Sequence, residues 1–187
     1  MTQSEFLAAA LRNPANALIA AKLSELDLPD AWLVSGCLVQ TVWNALTGRA
    51  VDYGINDYDV FYFDPDTSWE AEDAVIRVLH DAFAHLDLKV EARNQARVHL
   101  WYGKHFGFEI DPIKNCRDSI GHFASIGYCV GARLDGGDRI EIFAPHGLED
   151  LFSFRIRPNR FCDNRGTHDK KAARALSLWP ELIVEPW

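Results

Sequence analysis

Asn56-Asp57-Tyr58-Asp59-Val60-Phe61-Tyr62-Phe63-Asp64 is the stretch on which the reading of this chain turns. Two carboxylates stand two residues apart at the head of an apolar, aromatic run of strand-forming residues. Residues i and i+2 of a strand point to the same face, so Asp57 and Asp59 are expected to project together, with Tyr58 turned away. Two ionised acids side by side repel, and burial worsens the repulsion unless a cation lies between them. Hard divalent ions with oxygen ligands, Mg²⁺ above all, suit such a pair. Taken alone, the same residues are also what a solvated turn leading into a strand contains.

Upstream lies Trp32-Leu33-Val34-Ser35-Gly36-Cys37-Leu38-Val39-Gln40-Thr41-Val42-Trp43-Asn44-Ala45-Leu46. An apolar run ends in Ser-Gly, and a helical pattern follows with Val39, Val42, Trp43 and Leu46 on one face. A strand, a tight turn of small residues and a helix N-terminus form an anion site. Glycine lets the backbone approach closely, and free N–H groups with the helix dipole favour phosphate. The purely structural alternative is that Gly36 only makes the turn tight. A phosphate turn followed by a carboxylate pair on the next strand reads as phosphoryl chemistry on a nucleotide.

The rest of the pattern alternates helices and strands. A short helix is expected over 4–12, then a second from Asn13 as cap and Pro14 as first helical residue to about 26. Pro29-Asp30 breaks it before the first core strand. Asp64-Pro65-Asp66 makes a turn, and Thr67 or Ser68 caps a helix to about 83 whose Ala74, Val75, Val78, Leu79 and Ala82 share a face. Strands are expected over 86–92 and 98–102. Asp135-Gly136-Gly137-Asp138 is a hairpin signal between strands at 126–134 and 139–143. A short helix at 148–154 and a last one, capped by Thr167 and ending at Trp179-Pro180, complete the chain.

The layout resembles the DNA polymerase beta-like nucleotidyltransferase superfamily. Its members carry a Gly-Gly or Gly-Ser turn after the first core strand, an acid-x-acid pair on the second and a third acid on the third. More closely, the chain is similar to a bacterial family described as "nucleotidyltransferase family protein". The likeness rests on Gln40-Thr41-Val42-Trp43-Asn44-Ala45-Leu46-Thr47-Gly48, on Asp57 to Asp64 as quoted above, and on Val90-Glu91-Ala92-Arg93-Asn94-Gln95-Ala96-Arg97-Val98-His99-Leu100-Trp101-Tyr102. Cys129-Val130-Gly131-Ala132-Arg133 and Ala144-Pro145-His146-Gly147-Leu148-Glu149-Asp150-Leu151-Phe152 extend it, and Trp179-Pro180 also fits. Two features depart from the superfamily pattern: Ser35 precedes Gly36, and the gap to Asp57 is long. Leu46 to Gly54 therefore implies an extra loop before the acid strand.

The resemblance implies an α/β (α+β) fold: a nucleotidyltransferase-like mixed β-sheet core flanked by helices, with a C-terminal hairpin and helix. One domain is expected over 1–187, with its core at about 30–152, a short N-terminal helical pair and a basic C-terminal helical segment. It implies Asp57, Asp59 and Glu91 as catalytic, metal-holding acids, with two Mg²⁺ ions expected. Glu91 is alternatively a salt-bridge partner of Arg93 or Lys89, and Asp111 is the substitute third acid. Ser35, Gly36, Arg93 and Arg97 are the candidates for holding the nucleotide, since arginine suits bidentate oxyanion contacts; the alternative for the two arginines is simple charge balance for the acids. In a strand, His99 shares a face with Arg97, but a lone histidine in an apolar run also suits a hydrogen-bonded core. Trp43 and Trp101 are read as packing residues.

The implied activity is Mg²⁺-dependent transfer of a nucleoside monophosphate from an NTP to a hydroxyl acceptor. Two other readings remain open: a catalytically silent nucleotide-binding or regulatory module, and a toxin–antitoxin-type interaction protein. Which NTP serves, and whether the acceptor is a small molecule, a protein or RNA, is not written in the sequence. No RNA-binding module is added, which favours the first two.

Composition sets bounds. With 187 residues and 48% hydrophobic content, the chain can build a substantial core. No stretch reads as a membrane span or a signal peptide, so the cytoplasm is the expected compartment. Four cysteines, at 37, 116, 129 and 162, show no paired spacing, and reduced thiols are expected. A net charge of −8 disfavours sequence-independent nucleic-acid binding. Residues 151–175 run against it, with seven basic side chains minus two acidic ones giving +5. Such a segment either docks a triphosphate or another anion, or lays a solvated helix on an acidic body.

Overall fold

The computed structural model describes residues 2–135 and 139–187. Thr2 and Glu5 satisfy each other's backbone N–H groups in a capping box that starts α1 (Gln3–Ala10). The Asn13 side chain accepts from the Ala15 N–H and opens α2 (Pro14–Glu25), with proline where no intrahelical donor is missed. β1 (Trp32–Val34) runs through Ser35 into α3 (Gly36–Thr47), which stops at Gly48 in the left-handed region. β2 (Tyr58–Tyr62) is followed by α4 (Trp69–Phe83), capped by Ser68, and by β3 (Val90–Asn94). Then come α5 (Val98–Phe106), α6 (Cys116–Ile120), β4 (Gly131–Leu134), β5 (Ile140–Phe143) and α7 (Glu149–Phe152). β6 (Arg155–Ile156), α8 (Arg165–Leu178) and β7 (Ile183–Val184) close the described chain.

Five strands form one mixed sheet in the order β3-β2-β1-β4-β5. β2 and β3 pair in parallel and the other neighbours antiparallel, while β6 and β7 make a separate parallel pair. The register sets Val34 opposite Asp59 and Asp59 opposite Glu91. Alternation then divides the faces. Leu33, Tyr58, Val60, Tyr62, Ala92 and Ala132 enter the main core, which also takes Phe6, Ile19, Val39, Trp43, Leu79 and Trp179. Trp32 and Val34 turn the other way, into a smaller cluster with Cys116 and Ile120, and Phe61, Phe63, Phe123 and Phe143 pack on it. Asp59 belongs to that second face.

The mixed sheet flanked by helices agrees with the sequence reading, and several details do not. Residues 98–102, expected as a strand, begin α5 instead. The Asn94 side chain accepts from the Ala96 N–H, turning the chain out of β3 into a 3₁₀ turn at Gln95–Arg97, and Gly107 ends the helix in the left-handed region. The strand expected at 86–92 lies at Val90–Asn94, because Asp87 at φ 52° interrupts extended backbone before it. Residues 126–128 form a 3₁₀ turn ahead of β4. The last helix starts after Asn164 rather than at Thr167. β4 and β5 pair as the arms of a hairpin, while Gly136, Gly137 and Asp138 of its expected turn lie outside the described residues. No helix among the described residues is long and apolar enough to cross a membrane.

Candidate functional site

β1 and β2 run antiparallel, so the end of β1 and the start of β2 lie at the same edge of the sheet. The Ser35-Gly36 turn and the acid pair therefore meet in space across a gap of some twenty residues in sequence. Gly36, Gln40, Asn56, Asp57, Asp59, Tyr128, Lys171 and Arg174 line one cleft of about 160 Å³. Asp57 is the residue before β2 rather than part of it, yet both acids reach the cleft. Tyr58 turns to the opposite face, where Asn13 Nδ2 donates to its hydroxyl at 3.1 Å. As the sequence implies, it stays out of the site.

Charge in the cleft is unevenly compensated. Burial, then the neighbouring Asp57, with a smaller contribution from Glu91, pushes the Asp59 carboxyl up to about 6. Lys171 and Arg93 oppose that rise without cancelling it. Cys37 lies behind the pair, fully buried, and its thiol is held well above the usual range by burial first and by Asp59 second. A half-buried carboxylate facing another, with oxygen donors only, is the donor set that Mg²⁺ takes. Asp57 and Asp59 fit such an ion.

Glu91 stands beside Asp59 in the register, but its carboxylate is engaged. Lys89 Nζ pairs with Glu91 Oε1 and lies 3.8 Å from Asp57 Oδ2, and Arg93 Nη2 is 3.5 Å from Glu91 Oε2. Glu91 thus stands next to the acid pair and is salt-bridged to Lys89 and Arg93, which is the second of the two sequence readings. Among the described residues, no three or more His, Cys, Asp or Glu side chains are gathered closely enough to hold a metal ion. The third acid is adjacent rather than converged. Asp111, the substitute, is exposed in the loop after α5, off the sheet.

The Ser35-Gly36 turn has an unexpected geometry. Ser35 occupies φ 59°, ψ −118°, a region in which a side chain is strained and glycine is at ease. Its N–H donates to Val130 O at 2.8 Å, and its carbonyl accepts from Leu38 and Val39. Gly36 has ordinary helical backbone; a Cβ there would meet Gln40 Nε2 at 3.6 Å, an ordinary contact on the cleft side. The fold therefore leaves room for a side chain at 36 that the cleft would have to accommodate. The first N–H groups of α3 have no acceptor within the helix and point toward this end.

Of the candidate cations, Arg93 is largely exposed and donates to its own strand at Ala92 O, 2.8 Å away. Arg97 is placed elsewhere: it pairs at 2.6 Å with Glu72 on α4, both side chains mostly buried, and lies under Trp69. Since residues 95–97 form a turn, the strand face that Arg97 and His99 were expected to share does not exist. His99 Nδ1 is buried with no hydrogen-bond partner among the described residues. The cations in the cleft come instead from α8. Arg174 Nη2 donates to Gly54 O at 2.6 Å, and Lys171 Nζ lies 5.7 Å from the centre of the Tyr128 ring. Sequence reasoning counted these two among the seven cations of the basic segment without singling them out, and it missed Gln40, Asn56 and Tyr128; the charge bias of 151–175 was the only signal available.

Comparison with known proteins adds three findings. A family model described as nucleotidyltransferase matches residues 21–184. A structure solved by NMR, described as revealing a CCA-adding enzyme head domain, is similar with a TM-score of 0.79 and 24% identity, over 100% of this chain and 97% of that one. That likeness is one of fold. No curated protein matches the chain.

Proposed function

This chain belongs to the nucleotidyltransferase family, and from that premise we propose that it transfers a nucleoside monophosphate from an NTP to a hydroxyl acceptor in the cleft at the start of β2. The observation that carries this reading is the convergence of Gly36, Asp57, Asp59, Lys171 and Arg174 on one cleft. Anion-binding backbone, a carboxylate pair and two cations are the parts that phosphoryl transfer requires, because its work is positioning and charge neutralisation.

Each residue has a distinct task. The N-terminus of α3 at Gly36 receives phosphate oxygens. Lys171 and Arg174 neutralise the triphosphate from the opposite wall. Asp57 and Asp59 would hold Mg²⁺, and Glu91, paired with Lys89 and Arg93, would be the further carboxylate beside them. Two such ions, when bound, lower the acceptor hydroxyl's pKa and neutralise the leaving pyrophosphate. The acceptor oxygen bonds the α-phosphorus, the bond from that phosphorus to the bridging oxygen of the β-phosphate breaks, and pyrophosphate leaves. The hydroxyl proton is released to water, since Asp59 as a metal ligand would stay ionised. Arg93 is close enough to act on the charge of Asp59, whereas Arg97 braces the turn below the sheet.

Calorimetric titration of non-hydrolysable analogues of the four NTPs in Mg²⁺ tests the reading, on wild type and on Asp57→Asn/Asp59→Asn. Metal-dependent binding of wild type that disappears in the double variant is expected. A folded wild type that binds none of the four would reject the transfer reading and bring partner binding forward.

A further inference from the structure

A second, apolar cavity of about 270 Å³ opens on the same side of the sheet, with Phe61, Trp101, Tyr102, Phe123, Phe161 and Thr167 among its walls. Two features join it to the acid cleft. Phe61 follows Asp59 by two residues on β2, so their side chains share a face about 6–7 Å apart along the strand. Lys171 lines both spaces, its Nζ 5.6 Å from the centre of the Phe123 ring on one side and 5.7 Å from that of Tyr128 on the other. Whatever fills the cavity ends within reach of the acids.

The lining selects what can fill it. Phe61 and Phe123 stack with centroids 5.4 Å apart and planes at 20°, presenting a flat apolar wall. Three of the polar side chains in the lining, Ser119, Tyr102 and Asn164, already have partners, while Thr167 and Lys171 supply the polar rim. Ser119 Oγ donates to Gln95 Oε1 at 2.5 Å, Tyr102 OH to Asn164 Oδ1 at 3.2 Å, and Asn164 Nδ2 to Cys162 Sγ at 2.8 Å. His122 stacks on Phe161 at 3.7 Å. A nucleobase seated here would bury ring nitrogens and exocyclic groups against few free partners, at about 1–3 kcal/mol for each unsatisfied group. A planar hydrocarbon body with one polar end has no such cost. The polar cleft, with Gln40, Asn56, Lys171 and Arg174, is the better host for a nucleotide.

We propose that this apolar cavity is the acceptor site, and that the acceptor is a small planar alcohol or phenol whose hydroxyl projects past Phe61 and Lys171 toward Asp59. The proposal rests on the transferase reading and narrows its acceptor from any hydroxyl to an aromatic small molecule. In the transfer, the ring-borne oxygen gains the bond to the α-phosphorus, pyrophosphate departs and the hydroxyl proton is released to water. The product is an aryl or arylalkyl ester of the nucleoside monophosphate. The volume suits a one- or two-ring body, near the small end of ligand pockets at about 300–1,000 Å³.

The test titrates 2-naphthol and 4-phenylphenol into the full chain, followed by calorimetry and by the indole signal of Trp101 in two-dimensional NMR. Saturable binding is expected, and it is retained when a non-hydrolysable NTP analogue and Mg²⁺ saturate the cleft. Thr167→Trp and Ala124→Leu, which fill the cavity from two sides, should each weaken phenol binding by about tenfold or more while leaving NTP-analogue binding intact. Displacement of the phenols by the NTP analogue would overturn the proposal by assigning the cavity to the nucleobase. Phenol binding that neither filling variant disturbs would overturn it as well. NTP-analogue binding with no phenol binding would reject this acceptor alone, whereas phenol binding with no NTP binding would reject the transfer reading beneath it.

Discussion

Asp59 sits half-buried beside Asp57 and Glu91 with its carboxyl pushed up to about 6 from the usual value near 3.8. A carboxyl whose pKa is higher folded than unfolded favours the native state while protonated. That contribution is complete below about pH 4 and is lost as pH rises through about 6, so at neutral pH the folded state carries a cost. Asp59→Asn, which keeps the shape and removes the charge, should therefore stabilise the protein by on the order of 2 kcal/mol at pH 7.5 and by nothing near pH 4. Urea unfolding across that range measures it, and a gain independent of pH would refute the electrostatic origin. Mg²⁺ at pH 7.5 should raise the thermal midpoint of wild type and leave that of Asp59→Asn unmoved. Ser35 stores a different cost, in its backbone. With φ 59° and ψ −118°, Ser35→Gly should stabilise by about 1 kcal/mol, while Ser35→Ala keeps the strain and gains nothing. Equal stabilities of the two variants in a denaturant titration would show that the backbone is unstrained there.

The Asn94 hub governs the elements that flank the third acid. Its Nδ2 donates to Asp64 O at 2.9 Å and to Asp66 O at 3.2 Å, and its Oδ1 accepts from the N–H groups of Asp64 and Ala96. Its own N–H donates to Glu72 Oε1, whose other oxygen holds Arg97. One buried side chain thus ties the end of β2, the end of β3 and the start of α5. Asn94→Ala should destabilise by about 2–4 kcal/mol, and Asn94→Asp, which turns a second oxygen onto the Asp64 and Asp66 carbonyls, should cost at least as much. Chemical denaturation ranks the three, and an Asp variant close to wild type would show that the donated bonds matter little. This hub also shows what was legible in the sequence. α2 and α4 were readable to within a residue because Asn13-Pro14 and Ser68 are local signals, each acting within its own first turn. α5 was not, because Val98, Leu100, Trp101 and Tyr102 look strand-like and the turn before them is braced by Glu72, more than twenty residues away. The quoted Asn-Gln-Ala-Arg stretch proves to be largely such bracing, which is why Arg97 stands with Glu72 and away from the cleft of Asp57 and Asp59.

Across the whole molecule, the cleft takes one wall from α8, whose Lys171 and Arg174 line it with Asp57 and Asp59 at the start of β2. The sequence shows seven cations in 151–175 but not which of them turn inward, since that depends on anchors far away in the chain. His168 is one anchor: Ser125 Oγ lies 2.8 Å from its Nδ1, and its Nε2 lies 3.0 Å from Glu185 O. Since a carbonyl can only accept, Nε2 carries the proton and Nδ1 accepts from the serine. Trp179 is the other. Its Nε1 donates to Asn44 Oδ1 at 3.0 Å, and Asn44 Nδ2 donates to Val51 O and Tyr53 O in the extra loop that leads to Asp57. Gly54, at φ 72°, lies so close that a Cβ would fall 2.6 Å from the Trp179 ring, and its carbonyl receives Arg174. The end of α8 and the approach to the acids therefore share one fixed point. Trp179→Phe, which keeps an aromatic ring and strands Asn44 Oδ1, should cost about 1–3 kcal/mol of stability. It should also weaken NTP-analogue binding several-fold, because Arg174 and Asp57 lose a common reference. Arg174→Gln should weaken that binding too, and by less in the Trp179→Phe background than alone, since both act through Gly54. A less stable Trp179→Phe that binds the analogue with wild-type affinity would show that α8 is held over the cleft by other contacts, His168 foremost.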